Sequence, residues 1–241
     1  MTEKSLSNAE RCAIFDENFS FIQKEIKDAL KKAGRKENDC RLLAATKTVP
    51  VEVINHAIEK GLDLIGENKV QELKEKFPFL NPRAEVHFIG HLQTNKVKDV
   101  VPMVSMIHSV SSLHLAEEID KQCRKQGKVM DVLLEINIGN EESKSGFSAE
   151  EVLTVLPQIA ALSNVRVRGL MAIPPAEGDV RKYFCKMFQL FLDIEAKKVD
   201  NISMVNLSMG MSQDYPDAIA CGANIVRIGS SLFGQRNYGI K

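Results

Sequence analysis

Two short loops rich in serine and glycine lie near the end of the chain and could bind an anion. The first contains Ser208, Gly210 and Ser212, and the second is Gly229-Ser230-Ser231; each follows an apolar run. Glycine lets backbone N–H groups approach an anion closely, and serine hydroxyls add further donors. The alternative is two ordinary turns. The second loop has the glycine spacing of a P-loop, but Gln235 stands where that motif needs lysine, so the motif is rejected.

Two basic residues end apolar runs that are typical of strands. Lys47 closes the run Arg41-Leu-Leu-Ala-Ala-Thr, and Arg227 lies at the end of the last such run. A basic residue in this position is often a solvated terminus. In a (β/α)8 barrel, however, the carboxyl ends of the strands carry the site, and phosphate commonly binds after strands seven and eight. A barrel would therefore bring Lys47, Arg227 and the two loops together at one face.

The elements that must position these residues alternate along the chain. Helical patterns separate eight strand candidates, and the amphipathic stretch 8–32 predicts a helix ahead of the first strand. Alternating strands and helices predict a parallel α/β sheet with right-handed crossovers. Closed on itself, this sheet is a TIM barrel; an open doubly wound sheet is the alternative, but its GxGxxG fingerprint is absent. The predicted strands are 42–46, 63–65, 86–89, 105–109, 130–138, 166–171, 203–207 and 224–228.

We predict a single domain over residues 1–241, with the N-terminal helix in 1–34 and the (β/α)8 barrel in 41–236. The sequence has no visible repeat, low-complexity tract or linker that would mark a second domain. Residues that directly follow the predicted strands are polar where the strands are apolar. A polar ring above a packed core is the usual form of a site on this fold.

Composition limits the partners and the compartment. Lysine plus arginine and aspartate plus glutamate each number 32, so the formal net charge is +0. A neutral chain gives no support for nucleic acid or an anionic membrane as partner. We expect a cytoplasmic protein, because the polar N-terminus has no signal-peptide pattern and no apolar run could span a bilayer. The 5 cysteines form no CxxC pair, which favours reduced packing residues over disulfides or metal ligands.

His87 and His91 are the histidine pair that most resembles a metal motif. The residues between them are typical of a strand and a turn rather than of a helix. Zinc sites use at least three protein ligands, and no third ligand presents itself here. We therefore predict no metal site and interpret His91 as a polar group that lines the site.

Longer motifs add to this interpretation. The sequence contains RLLAATKT, GENKVQE, HFIGHLQTNK, GLMAIPP and LSMGMSQDYPDAIACGANIVRIGSSLFG. Together, over a range from about Leu42 to Arg236, they resemble the YggS/PROSC family of pyridoxal phosphate homeostasis proteins. The resemblance implies the barrel of the alanine racemase N-terminal domain and pyridoxal 5'-phosphate (PLP) as cofactor.

The resemblance also implies the roles of individual residues. Lys47 would be the Schiff-base lysine, Arg227 would face the pyridine nitrogen, the serine–glycine loops would hold the phosphate, and two further residues would line the ring or its hydroxyl. Because a guanidinium stays protonated, Arg227 should keep the ring nitrogen unprotonated and make PLP a poor electron sink. The implied cofactor-binding residues are Lys47, Asn68, Met171, Ser208, Ser212, Arg227, Gly229 and Ser230.

Two other positions bear on the resemblance. Lys144 lies in a glutamate-rich loop and looks solvated, but the resemblance makes it a candidate second amine near the cofactor. Many relatives carry a second lysine two positions after the Schiff-base lysine, and Val49 stands there in this chain. A transfer role for that second lysine is therefore not expected here.

Three functions remain open on the residues alone: a PLP-binding protein that stores or delivers the cofactor, a PLP-dependent amino-acid racemase, and an aldolase-like barrel. Barrel racemases of this superfamily add a C-terminal domain with a catalytic Tyr or Cys, and this chain ends at Lys241. Racemisation by two bases needs an acid or base on each face of the substrate carbon, and Lys47 supplies one. We expect PLP homeostasis without amino-acid turnover, by a monomer whose recipients are apo forms of PLP-dependent enzymes.

Overall fold

The computed structural model describes residues 6–175 and 177–234. At its centre, eight parallel strands pair in chain order, and the last pairs with the first to close a barrel. The strands are β1 Arg41–Ala45, β2 Leu64–Glu67, β3 Glu85–Phe88, β4 Met106–Val110, β5 Met130–Ile136, β6 Val165–Ala172, β7 Ile202–Ser208 and β8 Ile225–Ile228.

Helices cover the outside of the barrel and pack their apolar stripes against the strands. In the described residues none of these helices is both long enough and apolar enough to cross a membrane. Short 3-10 turns lie at Phe77–Phe79 and Thr94–Lys96. The α-helices are α1 Asn8–Lys32, α2 Val51–Glu59, α3 Val70–Lys76, α4 Val97–Val100, α5 Leu113–Lys125, α6 Ala149–Ala160, α7 Val180–Ala196, α8 Tyr215–Ala220 and α9 Ser230–Phe233.

Helix α1 precedes the barrel and packs on its outside against α2, α8 and α9. A capping box starts it, in which the Ser7 hydroxyl accepts from the Glu10 amide and the Glu10 side chain bonds the Ser7 amide. Its buried stripe begins with Phe15, which stacks on Phe233 of α9 with ring centroids 5.5 Å apart. This contact ties the N-terminal helix to the segment that follows the last strand.

The predicted fold is confirmed. All eight predicted strands are present with shifts of one or two residues at their ends, and the predicted helix 8–32 matches α1. The periodic patterns were reliable because the strands lie between the barrel interior and a helix layer and most of their residues are shielded from water, which favours apolar runs. The end of the predicted barrel at Arg236 and the residues before Leu6 lie outside the described residues.

The interior of the barrel is partly polar. One apolar layer contains Leu43, Leu64, Ile89 and Ile225, and another contains Met106, Leu133 and Met171. Polar side chains are enclosed as well, since His87, His108, Ser208 and Arg227 are all buried. Buried polar groups are costly unless they are hydrogen-bonded, so this set must be paired inside the barrel.

The five cysteines are free thiols in the structure. Cys123 and Cys221 are buried and match the predicted packing role, whereas Cys185 on α7 is exposed. Burial raises the pKa of Cys123 to about 11 and so keeps this thiol protonated and unreactive.

Candidate functional site

The carboxyl ends of the strands surround one cavity of about 310 Å³. That volume lies in the range of sites for small organic ligands, roughly 300–1,000 Å³. Residues at or after the ends of β1, β2, β3, β6, β7 and β8 contribute to it, as the barrel geometry requires. The lining residues are Ala45, Lys47, Asn68, Ile89, Ile173, Met211, Ser212, Gln213, Asp214, Arg227 and Ser230.

Lys47 reaches the cavity from the turn that follows β1. The lysine is half-buried, and the next residue, Thr48, has φ of 64°, in the left-handed region that a threonine rarely adopts. Such a conformation costs of order 1–3 kcal/mol and persists only when the surroundings impose it. The contacts of the turn therefore decide where the Lys47 side chain points.

A buried group of charged side chains holds this turn on both sides of Lys47. Lys76 Nζ donates to the Thr46 carbonyl over 2.8 Å and to Glu67 Oε1 over 2.8 Å. It also contacts Glu72 Oε2 at 3.2 Å, and the same oxygen accepts from the Thr48 amide over 2.7 Å. The residues before and after Lys47 are thus tied to one ammonium group.

The electrostatics of this cluster follow from its burial. Desolvation raises the pKa of Glu67, although Lys76 and the Thr46 hydroxyl act to lower it. Burial also acts to raise the pKa of Glu72, but the bonds from the Thr48 amide and Lys76 prevail and lower it. The Lys76 side chain is 11% exposed and Glu67 is fully enclosed, so the pair is a buried ion pair.

We predict that Lys76→Met destabilises the protein by about 3–5 kcal/mol, because it leaves a buried carboxylate without its cation. For a chain of this size the loss corresponds to a fall in the melting temperature of about 10 °C. The matched control is Lys74→Met on the same helix. The Lys74 side chain is about half exposed, and its ion pair with Asp99 is long, at 3.7 Å. The control should change stability by less than about 0.5 kcal/mol. Equal melting temperatures for the two variants would contradict this account of the turn.

Arg227 forms the floor of the cavity. It projects inward from β8, and its Nη1 donates to the carbonyl and the hydroxyl of Ser208, both over 2.8 Å. Its Nη2 donates to the Ala172 carbonyl over 3.0 Å. Burial lowers the pKa of Arg227 to about 10, with Glu135 and Asp214 opposing the shift, so the group is a cation at neutral pH.

The two predicted serine–glycine loops meet at the cavity. Ser230 Oγ donates to Ser212 Oγ over 3.3 Å, and the Ser231 amide also lies 3.3 Å from Ser212 Oγ. Gly229 sits at the start of α9 and its carbonyl accepts from the Leu232 and Phe233 amides. Hydroxyls and amides from both loops are thereby collected at one place, as a bound phosphate group needs.

Asn68 also lines the cavity, directly after β2. Its backbone lies close to the loop after β3. The approach is so close that a Cβ added at Gly90 would come within 2.0 Å of the Asn68 carbonyl oxygen. Among the described residues Asn68 Oδ1 is buried and has no hydrogen-bond partner. A buried amide oxygen without a partner is unusual and points to a ligand at this position.

Three predicted site residues, Met171, Ser208 and Gly229, are not among those that line the cavity, although Gly229 directly precedes Ser230, which does. Met171 is 1% exposed and packs with Met106 and Leu133 inside the barrel. Ser208 is fully buried, and its hydroxyl faces Arg227 and His108. A direct role for the Ser208 hydroxyl in phosphate binding therefore does not fit its position, because the hydroxyl points into the barrel.

Other residues considered from the sequence are placed as follows. His91 is exposed and does not line the cavity, while His87 points into the barrel and bonds His108. Lys144 Nζ donates to the Pro174 carbonyl and pairs with Glu141, so it lies near the rim rather than in the cavity. Among the residues described, no group of three His, Cys, Asp or Glu is arranged as a metal site.

Sequence reasoning considered Val49 as a neighbour of Lys47 but did not identify Lys76 as a contact of the Lys47 turn. Val49 is buried in the hydrophobic core close to the Lys47 turn. Lys76 reaches that turn from 29 residues away in the chain (76 against 47). The visible signal was the Glu72–Lys76 spacing of four on a helical pattern, which predicts a surface ion pair and gives no hint of burial.

In chemical terms, the cavity combines a primary amine, a buried guanidinium, and hydroxyls next to backbone amides. An amine can bond covalently to a carbonyl carbon when it is deprotonated. A guanidinium and the serine loops suit negative charge or a ring nitrogen with a lone pair. The arrangement therefore fits a small ligand that carries a carbonyl group and a phosphate.

Known proteins share both the sequence and the fold. Residues 22–237 match the family model described as alanine racemase, N-terminal domain. A pyridoxal phosphate homeostasis protein of Aquifex aeolicus is 45% identical over 226 residues, which cover 92% of this chain and 98% of that protein.

Two solved structures are also similar to this chain in fold and in sequence. An unknown protein from Bifidobacterium adolescentis is 33% identical, with a TM-score of 0.89 over 95% of this chain and 98% of that chain. PipY of Synechococcus elongatus, solved with PLP bound, is 30% identical, with a TM-score of 0.76 over 87% of this chain and 100% of that chain.

Proposed function

Because this chain belongs to the family of pyridoxal phosphate homeostasis proteins, built on the alanine racemase N-terminal domain, we propose that it binds PLP at the carboxyl end of its barrel. It stores the cofactor or delivers it to other proteins, and it does not turn over amino acids. The observation that carries the proposal is the convergence of Lys47, Arg227 and the two serine loops on one cavity.

The residues present fit PLP. When bound, this cofactor supplies an aldehyde that bonds covalently to an amine and a ring that can accept electrons. Lys47 provides the amine, and Ser212 and Ser230, with the start of α9 at Gly229, hold the phosphate. Asn68, whose buried amide oxygen has no partner among the described residues, faces the ring or its hydroxyl. Met171, which packs against Met106 and Leu133, contributes to the site only through the packing of the barrel interior.

Arg227 limits what the site can do. Arg227 is 5% exposed and its guanidinium is held by Ser208 and Ala172, so it presents a fixed positive charge to the cavity. Facing the ring nitrogen, such a charge keeps that nitrogen unprotonated and weakens the electron-accepting power of the ring. This residue therefore favours holding the cofactor over using it.

The supply of acids and bases is also limited. Among the described side chains that line the cavity, the Lys47 amine and the Asp214 carboxyl are the groups of a type that can serve as a general acid or base. Asp214 Oδ1 accepts from the Met211 amide over 2.6 Å and is engaged in shaping the loop after β7. A racemase needs two well-placed groups on opposite faces of its substrate, and the described cavity offers Lys47 for one face.

The proposal extends to the surroundings of the protein. It acts in the cytoplasm as a monomer, and its partners are PLP and the apo forms of PLP-dependent enzymes. The formal net charge of +0 and the free thiols support this setting, since they suit neither an anionic surface nor an oxidising compartment.

The test measures turnover and delivery on the same PLP-loaded sample. We expect negligible racemisation, transamination or decarboxylation across a panel of L-amino acids, followed by chiral chromatography and by α-proton exchange in D₂O. The same sample should reactivate an apo-aminotransferase. Sustained turnover at about 1 s⁻¹ or more, abolished in Lys47→Ala, would overturn the proposal in favour of an enzyme.

A further inference from the structure

A chain of polar side chains crosses the inside of the barrel from the cavity floor to the amino end of β3. Arg227 Nη1 donates to Ser208 Oγ over 2.8 Å, and the same hydroxyl lies 3.1 Å from His108 Nδ1. His108 Nε2 lies 2.8 Å from His87 Nδ1, and His87 Nε2 lies 2.8 Å from Glu85 Oε1. The link between Ser208 and His108 joins β7 to β4 across the barrel.

The two ends of this chain fix its direction. A guanidinium can only donate, and a carboxylate can only accept. Glu85 is a carboxylate, because the hydrogen bond from His87, together with Arg41 and against burial, lowers its pKa to about 2. Arg41 Nη1 holds the other Glu85 oxygen at 2.8 Å.

Between these ends, one arrangement of protons satisfies every group. His87 donates from Nε2 to Glu85 and accepts at Nδ1, so His108 must donate from Nε2. His108 then accepts at Nδ1 from the Ser208 hydroxyl, which leaves the lone pairs of that hydroxyl for Arg227. Both imidazoles are neutral and carry the proton on Nε2.

Because these groups are buried, each hydrogen bond of this arrangement is costly to lose. His108 and Ser208 are fully buried and His87 is 1% exposed, so a bond that is lost inside the barrel is not replaced by one to water. Burial lowers the pKa of His108 well below its ordinary value, and the positive charge of Arg227 adds to the shift. A neutral His108 is the form that can accept from Ser208.

We propose that His108, backed by His87, is a positioning residue for the PLP site: through Ser208 it fixes the orientation in which Arg227 faces the cofactor. The inference rests on the proposed function, because it assigns Arg227 to the ring of bound PLP. It adds that this orientation is imposed from inside the barrel, by residues that never touch the ligand. It also assigns Ser208 the role of linking His108 to Arg227, in place of the predicted role in phosphate binding.

The first test needs no cofactor. In the PLP-free protein labelled with ¹⁵N-histidine, imidazole nitrogen shifts at pH 7 should assign His87 and His108 as neutral rings protonated on Nε2. A charged ring at either position, or a His108 ring protonated on Nδ1, would overturn the inference, since Ser208 could not then donate to His108.

The second test uses two variants of equal shape, His108→Asn and His108→Leu. The asparagine Oδ1 takes the place of Nδ1 and still accepts from Ser208, whereas leucine cannot accept. We expect His108→Leu to weaken PLP binding about tenfold and to shift the absorption maximum of the bound cofactor. His108→Asn should stay within about threefold of the wild type, a smaller change than one lost hydrogen bond.

Two variants that fold, as melting curves show, and give identical affinities and spectra would contradict the positioning role. Failure of the proposed function looks different. In that case the wild-type protein itself would not bind PLP, while the nitrogen shifts of the PLP-free protein would still decide how His87 and His108 are arranged.

Discussion

PLP should bind this protein at least about 100-fold more tightly than pyridoxal, which lacks the phosphate. The expected contacts come from the Ser212 and Ser230 hydroxyls and the amides beside them, where the loops after β7 and β8 meet. Charge-assisted hydrogen bonds contribute about 1.5–3 kcal/mol each, so losing two or more costs at least two orders of magnitude in affinity. Fluorescence or absorption titrations with the two vitamers measure the ratio.

A pair of serine variants separates the phosphate contact from general effects on the barrel. Ser212→Ala should weaken PLP binding and leave pyridoxal binding unchanged. Ser203→Ala is the control, because Ser203 lies toward the amino end of β7, where its hydroxyl accepts from Arg168 over 2.8 Å. The control should bind both vitamers as the wild type does. Equal affinity of the wild type for PLP and pyridoxal would remove the basis for a phosphate site in these loops.

The barrel could be predicted from the sequence because its physical causes are local. Each strand is a short apolar run and each helix carries an apolar stripe, so period and length identify them without tertiary information. The position of Lys47 and Arg227 at strand ends then follows from the topology alone. The same reasoning placed Ser212, Ser230 and Asn68 on one face, and all three line the cavity.

Contacts between segments that are far apart in the sequence could not be predicted from local patterns. Lys76 reaches the Lys47 turn from the end of α3, and its buried pairing with Glu67 depends on how α3 packs against the barrel. His87 was weighed with His91, its neighbour in sequence, but bonds His108 on the adjacent strand. A polar residue at an inward position of a strand was the available signal, and it does not name its partner.

The direction of the Ser208 side chain could not be predicted from its position at the end of a strand. It is the last residue of β7, where the side chain can point either into the barrel or toward the loop. The alternation along β7 cannot settle this, because the pairing of β6 with β7 shifts register between Val167 and Gly169. In the structure Ser208 faces inward, and its role changes from a candidate phosphate ligand to a partner of Arg227.

The second large effect is expected for Lys47, because the proposed site depends on its amine. Lys47→Ala should abolish the product that borohydride reduction fixes on the protein, while PLP that still binds is held by its phosphate contacts alone. The control is Lys144→Ala, since the Lys144 amine bonds the Pro174 carbonyl and pairs with Glu141 at the rim. That variant should keep the full yield of reduced product and the absorption band of the wild type.

The most direct measurement is therefore a peptide map of the wild-type protein after PLP loading and borohydride reduction. We predict one modified peptide, the one that contains Lys47, with one pyridoxyl group for each chain. Modification of Lys144 or of another lysine in place of Lys47, or a protein that is not modified at all, would contradict the account.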